Sequence, residues 1–203
     1  MPAKDMLGEA IAFAARAHAG QLRKASRLPY IVHPVEVVSI CANITHDLEV
    51  LSAAALHDVV EDAGVSIDDV RAEFGPRVAE LVAGETEDKR RDRPAAETWK
   101  ERKVEAIEHL RLARDPGVRV ICLADKLSNL RSLKRDLDVH GPELWNVFNQ
   151  KDPAEHGWYH ATIASVLRPE LGTTDAWREY DKLIRAVFSP MQTPADLRPR
   201  PAR

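Results

Sequence analysis

Apolar residues along the chain recur mostly three and four positions apart, and no stretch alternates for long enough to make a strand, so the pattern predicts an all-α fold. The first stripe, Met6, Leu7, Ala10, Ile11, Phe13, Ala14 and Ala17, predicts a helix that stops near Gly20. A basic connector from Gln21 to Arg27 follows. Pro34 suits the first turn of a second helix carrying Val37, Val38, Cys41 and Ile44, and is expected to hold His33 extended just outside it. Asp47 is placed to cap a third helix that runs unbroken to a stop at Gly64. Ser66 and Asp69 form a capping pair for a short helix, and Gly75-Pro76 separates it from another that ends near Thr86. The charged segment 88–97 has a proline and no apolar period, which predicts a loop. Helices around 98–113, 117–134, 141–148, 153–168 and 174–188 complete a bundle of about eight to ten helices. Residues 1–189 are expected to form one domain, with a flexible Pro/Arg-rich tail over 190–203.

A chain of 203 residues is the size of one domain with a substantial core, and 44% hydrophobic with 30% charged residues is the balance of a folded, non-membrane protein. Acidic residues interrupt the N-terminal apolar positions before a signal-peptide core could form, so a cytoplasmic location is expected. Cys41 and Cys122 both fall within apolar helical patterns, where free thiols serve as small hydrophobes, and no disulfide is expected. A net charge of −3 gives no general attraction to a nucleic-acid backbone. A small phosphorylated ligand fits that balance better than a polymer, and self-association is left open.

Chemistry concentrates in two places. Leu56-His57-Asp58-Val59-Val60-Glu61-Asp62 puts four ionisable groups within about two turns of an otherwise apolar helix. Residues four apart share a face, so His57 pairs with Glu61 and Asp58 with Asp62. Asp125 then interrupts the apolar run 120–124, and Ser128, Asn129 and Ser132 continue its stripe as a small, polar floor. A solvated helix face remains the competing explanation for both. A carboxylate beside so apolar a segment needs a cation or a good hydrogen-bond partner, and a metal supplies one. With His33 added, two imidazoles and two carboxylates suit Mn²⁺, Fe²⁺, Co²⁺ or Zn²⁺.

The order of His33, then His57-Asp58, then a distant Asp125 resembles the HD superfamily of metal-dependent phosphohydrolases. Gly20-Gln21 with Arg23-Lys24, Pro29 to Pro34, Ala55 to Asp62, Phe74-Gly75 and Ala124 to Leu130 resemble the hydrolase domain of the RelA/SpoT family, and the stand-alone small alarmone hydrolases most closely. The resemblance implies an HD-domain helical bundle with Mn²⁺ held by His33, His57, Asp58 and Asp125. It also implies that Glu61 and Asp62 orient or deprotonate the attacking water. Arg23, Lys24, Lys126 and Asn129 would face the nucleotide. Two positions depart from the common family pattern: Glu85 stands where valine is usual, and Ser128 where tyrosine or histidine is usual. The segments 85–90, 99–103, 145–149 and 158–159 also resemble an uncharacterised bacterial branch of HD phosphohydrolases.

The implied activity is hydrolysis of the 3′-pyrophosphate of guanosine tetra- or pentaphosphate. An HD enzyme acting on a dNTP, a nucleoside monophosphate or NADPH is the first rival, and a substrate panel separates the two. A non-catalytic nucleotide sensor is the second. The intact Glu61-Asp62 pair argues against it.

Overall fold

The computed structural model describes residues 5–90 and 92–188; the expected tail over 190–203 lies outside them. Among the described residues there are ten α-helices and one 3₁₀ helix, and no strand. They are α1 Met6–Ala17, α2 Val32–Ala42, α3 Leu48–Leu56, α4 Val59–Ala63, α5 Ile67–Phe74, α6 Pro76–Glu85, α7 Ala95–Leu112, α8 Pro116–His140, the 3₁₀ helix Gly141–Val147, α9 Pro153–Leu171 and α10 Asp175–Phe188.

Local chemistry sets many of the boundaries. Asp5, Asp47, Ser66, Asp115 and Asp152 each accept a backbone N–H from the first turn of the helix they precede, satisfying a donor the helix itself leaves open. Ser66 and Asp69 complete a reciprocal capping box. Pro76, Pro116 and Pro153 open α6, α8 and α9, where a missing N–H costs nothing. Gly64 closes α4 in the left-handed conformation, with φ of 74°.

The core forms around α3 and α8. α3 packs against α1, α2, α6 and α8, and its Ala53, Ala54 and Ala55 are buried, letting backbones approach closely. α8 spans 25 residues, and Ile121, Leu123, Leu127 and Leu130 on it are fully buried. Each such side chain contributes roughly 1.5–3 kcal/mol through removal from water. Cys41 and Cys122 are buried free thiols. Arg77 joins the N-termini of both central helices, bonding Asp47 at 2.7 Å and Asp115 at 2.9 Å. Asp47 and Asp115 each stand ten residues before His57 and Asp125, respectively. The clamp therefore brings two helices of matched rise, about 15 Å from cap to site, alongside each other.

Three sequence expectations are corrected. His33 lies inside α2, because that helix begins at Val32 and places Pro34 third, still among the first residues whose N–H has no intrahelical partner. The helix expected to run unbroken from Asp47 to Gly64 is interrupted at His57 and Asp58. There His57 Nδ1 donates to the Ala54 carbonyl at 2.8 Å, a side chain entering the backbone ladder, which is a recognised cause of kinks. The loop expected over 88–97 ends at Pro94, since α7 starts at Ala95. No helix among the described residues is long and apolar enough to cross a membrane.

Candidate metal centre

The interruption between α3 and α4 does chemical work. On a regular helix neighbouring residues point apart; across the break, His57 Nε2 and Asp58 Oδ2 come within 3.2 Å. His33, from the first turn of α2, places its Nε2 3.0 Å from Asp125 Oδ1 and 3.5 Å from Asp58 Oδ2. His57 Nε2 is 3.7 Å from Asp125 Oδ1. Ligand atoms of His33, His57 and Asp58 all lie within 4.8 Å of one another. Both imidazoles are buried, 3% and 2% exposed, and Asp125 is 6% exposed, so bulk water does not stabilise the charges.

A divalent ion fits these residues. His57 Nδ1 faces a carbonyl, which only accepts, so it carries the ring's proton and leaves a lone pair on Nε2 of the neutral ring. That Nε2 is buried and has no hydrogen-bond partner, although two carboxylates face it. A buried ring nitrogen set against two carboxylates calls for a cation between them, a proton in the metal-free protein and a divalent ion when one is bound. The mixed nitrogen and oxygen donors suit a first-row divalent ion.

Neighbouring groups hold the carboxylates in place. Tyr30 donates its hydroxyl to Asp58 Oδ2 at 2.6 Å, Asn129 Nδ2 donates to Asp125 Oδ1 at 2.6 Å, and Lys126 Nζ lies 2.6 Å from Asp125 Oδ2. Arg23 Nη2 donates to Asn129 Oδ1 at 3.0 Å, and its guanidinium lies 5.6 Å from the Tyr30 ring centre. Arg23, Lys126 and Asn129 therefore gather beside the metal-site residues.

Glu61 and Asp62, on α4, share Lys89, which lies 3.2 Å from Glu61 and also pairs with Asp62. Burial raises the pKa of Glu61, with Lys89 pulling the other way. Beside them opens a cavity of 220 Å³ lined by Lys24, Glu61, Lys89, Trp99, Arg102 and Lys103, among others. Glu87 pairs with Arg102 at 3.1 Å and Lys103 at 2.5 Å along its wall. Burial lowers the pKa of Lys103 despite Glu87. A larger depression of 390 Å³ bordered by Glu80, His109, Leu112 and Val118 contains none of these residues, so size alone does not mark the site.

Sequence reasoning missed Trp99, Lys103 and Glu87 as cleft residues, because the packing of α7 against α9 brings the first two there and ion pairs to Arg102 and Lys103 draw in Glu87. Tyr30 carried a signal, its place beside His33 in a recognisable motif. Trp158 and Tyr159 are buried, and their rings are covered by Lys100 at 3.2 Å and Lys103 at 4.9 Å, which assigns them to the core. Glu85, the unusual residue at the end of α6, is electrostatically coupled to this cluster. Burial pushes its carboxyl up to about 8, with Lys126 opposing.

Among known proteins, the chain is 38% identical over 184 residues to human guanosine-3′,5′-bis(diphosphate) 3′-pyrophosphohydrolase MESH1, covering 89% of this chain and 91% of that protein. It is 43% identical over 134 residues to the Vibrio cholerae guanosine-3′,5′-bis(diphosphate) 3′-pyrophosphohydrolase, but there it covers 65% of this chain and only 18% of the relative. A solved structure described as a metazoan ortholog of SpoT that hydrolyses ppGpp superposes with a TM-score of 0.73 at 33% identity, over 92% of this chain and 97% of that one. Residues 10–153, which contain all four candidate metal ligands, match the HD domain, and the chain belongs to the HD-domain family.

Proposed function

We propose that the protein is a metal-dependent hydrolase that removes the 3′-pyrophosphate of ppGpp or pppGpp, giving GDP or GTP and pyrophosphate. The carrying observation is the match to the human hydrolase over nearly the whole of both chains. His33, His57, Asp58 and Asp125 hold the ion, and Mn²⁺ is the metal we assign to it. When bound, a divalent ion lowers the pKa of a water and polarises a phosphate oxygen.

The remaining chemistry falls to side chains of the cleft. Water attacks the phosphorus attached to the ribose 3′-oxygen: a new bond from the water oxygen to phosphorus forms as the bond to the 3′-oxygen breaks, releasing pyrophosphate. The 3′-oxygen departs with GDP or GTP and takes up a proton to become the 3′-hydroxyl. Glu61, raised in pKa by burial, and Asp62 orient that water and take its proton. Lys89, bridging the pair, fixes their geometry. Arg23 and Lys24 from the connector before α2, with Lys126 and Asn129 from α8, bind the nucleotide. A guanidinium suits forked contact with phosphate and an ammonium acts as a point charge. The ligand is a small nucleotide, and the activity is placed in the cytoplasm.

One observation favours a second substrate. Glu85 stands where valine is usual, and its carboxyl, which burial keeps largely protonated at neutral pH, is electrostatically coupled to Lys126, so the surroundings of a proposed nucleotide-binding residue differ from the common pattern. An HD enzyme acting on another nucleotide would share the metal centre and differ at such positions. Release of phosphate and pyrophosphate from ppGpp, dNTPs, nucleoside monophosphates and NADPH, with Asp58→Ala as the blank, separates the two.

A further inference from the structure

Glu36 lies three residues beyond His33 on α2, and Ser128 three beyond Asp125 on α8, so each shares a face with a metal-site residue. His33 Nδ1 is 2.9 Å from Ser128 Oγ, and that hydroxyl donates to Glu36 Oε2 at 2.8 Å. The other Glu36 oxygen accepts from Arg131 Nη1 at 3.0 Å. Arg131 is held in turn by Glu179 on α10, at 2.7 and 2.6 Å. Ser128 is fully buried.

The polarity of this chain of bonds is determined. A carboxylate only accepts, and serine has one proton to give. With that proton committed to Glu36, Ser128 Oγ meets His33 as an acceptor, so Nδ1 must be the donor. The lone pair of the neutral ring then sits on Nε2, the atom facing Asp58 and Asp125. His57 obtains the same tautomer from a backbone carbonyl, whereas His33 depends on side chains.

Given the metal centre proposed above, we infer that Glu36, acting through Ser128 and braced by Arg131, is a positioning residue that fixes the tautomer and ring orientation of His33 for the ion. Ser128, which supplies the bond to His33, is one of the positions where this chain departs from the common pattern of the family it resembles. Glu36→Gln would reverse it. Arg131 demands an acceptor, so the glutamine oxygen turns to Arg131 and its NH₂ to Ser128. The serine proton is then released toward His33 Nδ1, and the ring's own proton moves to Nε2, where the ion belongs.

The test is the dissociation constant of Co²⁺, measured by chelator competition, for wild type, Glu36→Gln, Ser128→Ala and Glu179→Gln, alongside the melting temperature of each metal-free protein. Glu36→Gln and Ser128→Ala should bind Co²⁺ roughly 10- to 100-fold more weakly, a loss typical of outer partners of ligating histidines. Glu179→Gln, which disturbs the brace but not the serine, should stay within about threefold of wild type. Equal affinity in wild type, Glu36→Gln and Ser128→Ala overturns the inference, as does a loss in Glu179→Gln as large as that in Glu36→Gln. A wild type that takes up no Co²⁺ overturns the metal centre itself.

Discussion

His57 Nε2 stands 3.2 Å from Asp58 Oδ2 across the break between α3 and α4, on a ring that is 2% exposed. In the metal-free protein, burial opposes a charge on this ring, but the Asp58 and Asp125 carboxylates outweigh it and hold the His57 pKa well above 6.5. An ion entering at neutral pH must therefore displace a proton. Titration calorimetry in buffers of different ionisation heat should detect release of about one proton per ion, with metal affinity rising as pH rises. Affinity independent of pH between 6 and 8 would contradict the assignment of His57 as a ligand.

Glu61→Gln and Asp62→Asn should each lower kcat by roughly 100- to 10,000-fold, the range for losing a positioned acid or base. Metal affinity should be unchanged in both, because neither is among the four proposed ligands. A variant that loses metal together with turnover would move that residue into the ligand set.

Arg23 is tied to Asn129, and Lys103 lines the cleft. Arg23→Ala and Lys103→Ala should raise KM, each by roughly 10- to 100-fold, as expected for one charge-assisted hydrogen bond to a phosphate. Steady-state kinetics with kcat and KM resolved provide the check. A fall in kcat at constant KM would place these residues in the transition state instead.

Glu85 carries a pH signature in the metal-free protein. Burial lifts its carboxyl in the folded state to about 8, so between the ordinary glutamate pKa, about 4.3, and that value the folded state holds a proton the unfolded state has lost. Stability therefore declines as pH rises through that window. Glu85→Gln should remove the decline and be the more stable protein at pH 9, as read from urea unfolding. Parallel stability curves for wild type and variant would show that Glu85 ionises normally.

Much of this architecture is legible in the sequence wherever the cause is local. The caps at Asp47 and Ser66, the proline-led helices and the stop at Gly64 each depend on side chains within a few residues of the backbone they satisfy. His57, Asp58 and Asp125 stood out as candidates for a different reason: ionisable groups beside or within apolar helical runs need a compensating partner, while His33 joined them through the resemblance to the HD-domain hydrolases. What could not be read was set by contacts distant in sequence or by one side chain's choice of partner. The kink at His57 depends on its imidazole finding the Ala54 carbonyl. The pairing of Lys89 with Glu61 and Asp62, 27 residues away in the case of Asp62, and the Arg77 clamp on Asp47 and Asp115, arise from tertiary packing that no window of sequence reveals.

The most direct test of the central claim is pyrophosphate release from ppGpp by Mn²⁺-loaded protein, compared with Asp58→Ala at equal concentration. Pyrophosphate and GDP appearing together from the wild type, with the variant reduced by at least about 100-fold, is the predicted result. Intact ppGpp after incubation with wild type, alongside turnover of a dNTP, a nucleoside monophosphate or NADPH, would contradict the alarmone assignment while keeping the metal centre.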